Sequence, residues 1–327
     1  MTIRPVDYKI YSVKRSNEEE IVLKKLNIGG KVATSAIALG CMRMAEKDYA
    51  VCDKIICAAL ECGITHFDHA DIYGRGVSEE KFGRYLAAHP SAREKMILQS
   101  KCAKHDGFYD FSKEHILSSV EGSLSRLKTD YLDFLLLHRP DTLMEPDEVA
   151  EAFDKLEREG KVRGFGVSNF NPMQTELLKT AVKQPLVINQ LQFSMTEAGM
   201  IASGMNVNMK NGESVMRDGG LLEYCRIKGI TVQAWSPMQF GFFEGVYVGN
   251  REKFPALNAE LDALAEKYSV SPSAIVAAWI LRHPAGIQAI IGSMNEERIK
   301  SFCMGADVTL TRAEWYALYR SAGHSLP

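Results

Sequence analysis

Residues 131–169 read YLDFLLLHRPDTLMEPDEVAEAFDKLEREGKVRGFGVSN. An apolar run ending in His138 is followed by a charged, helix-patterned stretch at Pro146–Glu159. A second apolar run then ends in Ser168 and Asn169. The two apolar runs lack the alternation of a strand with one wet face, so they read as strands covered on both sides. A helix between two such strands is the crossover that joins neighbouring parallel strands.

Working outward in both directions, the same unit recurs from Ser35 onward. Strand candidates lie at 36–42, 64–70, 96–103, 131–138, 163–169, 186–194, 230–238 and 287–293. Helical segments lie between them at Asp48–Cys62, Ser78–His89, Lys113–Leu127, Pro146–Glu159, Pro172–Val182, Leu221–Lys228 and Asn258–Arg282. Ile116, Leu117, Val120, Leu124 and Leu127 form one apolar stripe on the third of these. Eight strand–helix units predict an α/β fold that closes as a (β/α)8 TIM barrel. The competing open, doubly wound sheet usually carries G-x-G-x-x-G after its first strand, and no such run occurs here, nor a phosphate-loop motif. KKLNIGGKVATS (24–35) has the Gly-Gly turn of a β-hairpin and is expected across the barrel floor. Residues 1–20 read as an N-terminal extension and 21–327 as a single barrel domain.

Composition narrows the function. Hydrophobic residues make up 46% and charged residues 24%, which excludes disorder, collagen and coiled coil. A formal charge of −2 offers no basic field for nucleic acid or an anionic membrane, so a small-molecule partner is expected. The longest apolar run, near Ala274–Leu281, is far short of a bilayer span, and the first twenty residues lack the core of a secretory signal. Seven cysteines without a C-x-x-C pair argue against a disulfide framework and for a reducing, cytoplasmic setting.

Barrels of this kind work at the C-terminal ends of their strands. There the second candidate strand ends in Asp68, with Tyr73 five residues on, the third in Lys101 and the fourth in His138. An Asp68–Lys101 ion pair solves the burial of both charges. A cationic Lys101 beside Tyr73 is expected to lower the tyrosine pKa from about 10 and make it a proton donor or acceptor, with His138 orienting an oxygen. His66, Asp68 and His69 suggest a metal hydrolase, but His69 should face away from the other two and no later strand end supplies a second histidine pair. A serine hydrolase lacks its G-x-S-x-G run, and Cys102 should point away from Lys101. The long connections 195–220 and 239–257, rich in methionine and phenylalanine, are expected on the rim as specificity segments.

FDHADIY, LQSK and LLLHRP resemble the three segments that carry the Asp–Tyr–Lys–His tetrad of the aldo-keto reductase superfamily. The resemblance runs from about Leu23 to Ala322 and continues through GFGVSNF, VINQLQFS, AWSPM and IGSMNEER. It implies the eight-stranded barrel and NADP(H), with NAD(H) less favoured, bound without a dinucleotide fingerprint. It implies Asp68, Tyr73, Lys101 and His138 as catalytic residues that reduce an aldehyde or ketone, Tyr73 giving the proton. Ser168, Asn169 and Gln190 match the nicotinamide carboxamide site, and Trp235 the ring stacked on the nicotinamide. Ser236, Pro237 and Met238 match the pyrophosphate side, and Gly40, Cys41 and Met42 border the nicotinamide end. Ile291, Gly292, Ser293, Glu297 and Arg298 match the adenosine segment, where Arg298 suits a 2′-phosphate. The chain departs from many relatives in having Gly292 before Ser293, where they have lysine, and Phe302 where they have asparagine. No metal is implied. An NADP-binding redox-sensing or regulatory subunit on the same fold is the alternative, and oligomeric state stays open.

Overall fold

The computed structural model describes residues 23–327; the expected extension at 1–20 lies outside them. Lys25–Ile28 (β1) and Val32–Ser35 (β2) pair antiparallel, with Asn27 opposite Ala33. Gly29 and Gly30 both take positive φ in the turn. A Cβ on Gly29 would sit 2.6 Å from Val187 Cγ1, so the turn presses onto the barrel where only glycine fits. Ile28 leads the hairpin into the floor, packing with Ile97, Phe134, Leu136 and Ile188.

The barrel strands are Ile37–Gly40 (β3), His66–Asp68 (β4), Ile97–Cys102 (β5), Phe134–Leu137 (β6), Phe165–Ser168 (β7), Leu186–Gln192 (β8), Thr231–Trp235 (β9) and Gln288–Ile291, here β12. All neighbours run parallel, and β12 closes the ring between β9 and β3. Each strand falls inside the span expected for it. The short pair Gln239–Phe240 (β10) and Gly245–Val246 (β11) makes a hairpin beyond β9.

Successive strand residues face opposite sides, and this alternation builds the interior in layers. On β5, Ile97 joins the floor, Gln99 the middle and Lys101 the top, while Leu98 and Cys102 join the outer core beneath the helices. The middle layer is polar. Gln99, Gln190, Gln233 and Gln288, each at most 3% exposed, form one network at 2.8–3.1 Å in which the first, second and fourth all bond Gln233. Buried amides are tolerated there because each NH2 group donates to an oxygen of the interior.

Tyr49–Glu61 (α1), Val77–Ala88 (α2), Lys113–Leu127 (α3), Pro146–Arg158 (α4), Pro172–Leu178 (α5), Gly199–Met205 (α6) and Leu221–Lys228 (α7) precede the last barrel strand with Pro255–Tyr268 (α8) and Pro272–Leu281 (α9). Glu296–Cys303 (α10) and Arg312–Ser321 (α11) follow it. The expected helix 258–282 is therefore two. Ser269 turns left-handed at φ 53, Ser271 caps Ala274 N, and Pro272 occupies the first turn, where its missing N–H costs nothing. The apolar run 274–281 is buried on every side of α9, packed among α8, α10 and β12. Helices α2 and α3 approach so closely that a Cβ on Gly83 would lie 1.9 Å from Arg126 O. Among the described residues no helix is long and apolar enough to cross a membrane.

Candidate active site

The strand ends open into a cavity of about 980 Å³. Asp68, Tyr73 and His138 line it, with Lys101 immediately beneath at 1% exposure. Lys101 Nζ lies 2.6 Å from Asp68 Oδ1 and donates to His69 O at 2.8 Å. The same Asp68 oxygen accepts Gln99 Nε2 at 2.6 Å and Gln190 Nε2 at 2.9 Å. The buried charge pair is thus supported by further hydrogen bonds at both Asp68 Oδ1 and Lys101 Nζ, as a favourable buried pair requires. Lys101 Nζ stands 5.0 Å from the Tyr73 ring centre, and the His138 ring meets Tyr73 edge-on at 5.9 Å.

The electrostatics correct one expectation. Burial pushes the Tyr73 phenol up to about 12, and the pull of Lys101 does not reverse it because Asp68 pushes back. Tyr73 therefore stays protonated throughout the neutral range. Burial draws Lys101 down, but Asp68 and Tyr73 hold it above its ordinary value, so it stays a cation. Burial, then the charges of Lys101, Lys104 and Arg139, drive His138 well below the usual histidine range. It is a neutral imidazole whose Nδ1 has no protein partner.

His66 and His69 do not share a centre with each other. His66 stacks on Phe134 inside the barrel, and His69 meets Phe82 of α2 edge-on at 4.6 Å. Burial lowers their pKa values to about 4 and about 3.

Of the residues matched to a dinucleotide, Gly40, Met42, Ser168, Asn169, Gln190 and Trp235 line the cavity. Ser236, Pro237, Met238, Gly292, Ser293 and Arg298 continue the wall. Cys41 and Ile291 do not: alternation turns both into the outer core at 0% exposure. Glu297 is exposed in the first turn of α10 and contributes nothing to the wall. Phe302 is fully buried. The donor set fits a nicotinamide dinucleotide. Ser168 Oγ donates to Gln190 O at 2.9 Å and accepts Asn169 Nδ2 at 2.8 Å, while Trp235 Nε1 donates to Asn169 Oδ1 at 3.2 Å. Asn169 and Ser236 hold positive φ at 61° and 54°, backbone conformations that nearby structure must impose.

Several wall residues escaped the motif reading. Arg139 follows His138 directly, Lys104 and Tyr109 follow β5, and Arg43 follows Met42. Extending the strand-end rule by a few positions would have found Arg139 and Lys104. The 239–257 segment supplies Gln239, Phe242, Phe243, Val246 and Val248, as expected of a specificity segment. The 195–220 segment supplies none. Met195 and Ala198 are buried in the core, and His324 bonds Met195 O at 2.8 Å and Glu213 at 2.9 Å, fastening that segment to the C-terminal end.

Fold and site together define an α/β-barrel oxidoreductase. The chain belongs to the aldo/keto reductase family, whose model matches residues 36–320. It is 35% identical over 93% of its length to the uncharacterized oxidoreductase YcsN of Bacillus subtilis, all of which is covered. It is 34% identical to a 6-dehydroglucose reductase of Agrobacterium fabrum, covering 92% of this chain and 98% of that protein. A Klebsiella pneumoniae aldo-keto reductase solved in complex with NADPH superposes with a TM-score of 0.74 at 26% identity, over 94% of this chain and 97% of that one.

Proposed function

We propose that the protein is an NADPH-dependent carbonyl reductase that converts an aldehyde or ketone to an alcohol. The observation that carries this reading is the Lys101–Asp68 pair, 2.6 Å apart, set under a cavity-lining Tyr73 with His138 edge-on to its ring. The family assignment and the NADPH-bound Klebsiella relative support the cofactor.

The dinucleotide would be held by Ser168, Asn169 and Gln190 at the carboxamide, Trp235 at the ring face, and Ser293 and Arg298 at the adenosine end. When bound, it supplies the hydride to the carbonyl carbon. The remaining work falls to this chain's own groups. Tyr73, protonated far above neutral pH, gives its proton to the carbonyl oxygen as negative charge develops there. An alkoxide is a much stronger base than a phenolate, so this transfer runs downhill. Lys101, held cationic by Asp68, stabilises the phenolate left behind. Neutral His138 can donate a hydrogen bond to the same oxygen and orient it without adding charge.

The test is carbonyl-dependent consumption of NADPH by the purified protein over a panel of aldehydes and ketones, compared with Tyr73→Phe. Loss of the general acid should lower kcat by roughly 10²–10⁴-fold. Equal, slow consumption by both proteins across the panel would replace this reading with a cofactor-binding subunit.

A further inference from the structure

Among the described residues, Asp68 is the one carboxylate in the cavity wall, and Lys101 already neutralises it at 2.6 Å. Four other cations share that wall: Arg43, Lys104, Arg139 and Arg298. Two of them stand at the cofactor end. Arg298 lies on α10, and Arg43 Nη1 donates to Gly292 O at 3.3 Å. Lys104 and Arg139 stand elsewhere, beyond the ends of β5 and β6, beside the Tyr73 and His138 rings and across the barrel from β12.

Neither of these two has an acidic partner among the described residues. Arg139 instead has aromatic company, its guanidinium carbon 5.7 Å from the Trp235 ring centre and 5.9 Å from that of Phe242. Burial lowers its pKa, and the groups that oppose the shift are the phenols of Tyr109 and Tyr73. Ring faces hold a guanidinium in place but do not neutralise it, and a half-buried cation without an anion is costly. A planar guanidinium that bonds no acidic group among the described residues, in one wall with an ammonium, is a receptor for an oxyanion. A neutral hydroxyl could accept the same hydrogen bonds, yet it would leave both charges uncompensated.

Building on the carbonyl-reductase reading, we propose that the preferred substrates are anionic carbonyl compounds whose carboxylate or phosphate group is held by Arg139 and Lys104 while the carbonyl lies at Tyr73 and His138. Phe242 and Tyr109 would flank the connecting part of the molecule.

Three aldehydes of one shape test this: 4-carboxybenzaldehyde, 4-formylphenyl phosphate and the neutral 4-(hydroxymethyl)benzaldehyde. Wild-type kcat/KM should favour at least one anion over the neutral compound by about tenfold or more, as a single charge-assisted contact provides. The better anion identifies the oxyanion. Arg139→Gln and Lys104→Gln should each shrink that ratio, Arg139→Lys should restore part of it, and added salt should erode it. A wild-type ratio near one, or a ratio that neither substitution alters, overturns the proposal. Turnover of the neutral aldehyde without anion preference would sink this inference and leave the carbonyl-reductase reading standing. Should no aldehyde consume NADPH, calorimetric titration of the same compounds into the NADP+-loaded protein still decides: carboxylate binding weakened by Arg139→Gln supports anion recognition, and equal binding of charged and neutral compounds overturns it.

Discussion

Gln190 Nε2 reaches across the barrel to Asp68 Oδ1 at 2.9 Å, joining residues 122 positions apart in the chain. The motif reading assigned Gln190 to the cofactor. In the structure its amide also anchors the carboxylate that holds Lys101. Gln190→Leu removes one of three donors on that oxygen and should lower kcat by about tenfold, the worth of one hydrogen bond to a charged group. Equilibrium binding of NADPH should change less than kcat; a larger loss of cofactor affinity would return Gln190 to the cofactor alone.

Tyr73 sets opposite pH profiles for the two directions. Its phenol, pushed up to about 12, is protonated at every pH below that value, so reduction should show no loss attributable to Tyr73 between about pH 6 and 9. Alcohol oxidation needs the phenolate and should climb with pH across the same range. Rate profiles under saturating cofactor check both limbs, and an oxidation rate that is flat from neutral to alkaline pH would rule Tyr73 out as the titrating base.

Arg298 is exposed at the cavity edge and has no acidic partner among the described residues. Arg298→Ala should weaken NADPH by roughly 10–100-fold, the cost of lost charge-assisted contacts, and weaken NADH much less. Fluorescence titration with both cofactors makes the comparison. Equal losses would place recognition of the 2′-phosphate on other groups.

Asp71, just beyond Asp68, has a pKa raised to about 6 by burial and then by the nearby Glu79 carboxylate. Its folded-state value exceeds its unfolded one, so its contribution to stability is complete below about pH 4 and is lost as pH rises through about 6. Asp71→Asn keeps the neutral shape at all pH values. It should raise Tm by about 2–4 °C above pH 7 and bring no gain near pH 4. A thermal-melt series over pH reads this directly, and a gain of equal size at both ends would mean the charge is not the cause.

Trp279 of α9 and Trp315 of α11 each donate the indole N–H to the other's backbone carbonyl, at 3.1 and 3.0 Å, with rings stacked at 4.9 Å. Trp315→Phe keeps the stack but leaves the Trp279 carbonyl without its donor. A destabilisation of about 1–3 kcal/mol in denaturant unfolding is expected, with cofactor binding unchanged. The pair lies in the outer shell, so a loss of activity at constant stability would contradict a purely structural role.

The motifs at Asp68, Tyr73, Lys101 and His138 were legible because a parallel strand carries its own signal. An apolar run ends at a polar residue, and the barrel rule says where that residue points. Alternation along β5 likewise separated Lys101 from Cys102. The family resemblance, carried over without that alternation, put Cys41 and Ile291 at the cofactor, although it is their neighbours Gly40 and Gly292 that occupy the wall. The division of 258–282 into α8 and α9 was written in Ser271-Pro272, a cap and a helix start that the apolar periodicity on either side masked.

Local periodicity, a property of short stretches, was enough for the sequence alone to determine the eight-unit barrel; the resemblance of its motifs pointed to the family, and strand-end chemistry brought Asp68, Tyr73, Lys101 and His138 forward as candidates. Only the tertiary structure decided the network of buried glutamines beneath the tetrad, the balance of burial and charge that leaves Tyr73 protonated, and the meeting of Lys104, Arg139, Trp235 and Phe242 in one wall. Each of these depends on groups far apart in the chain. Burial, the dielectric surroundings and the presence or absence of a counter-charge are set by which distant segments pack together, and no single segment carries that information.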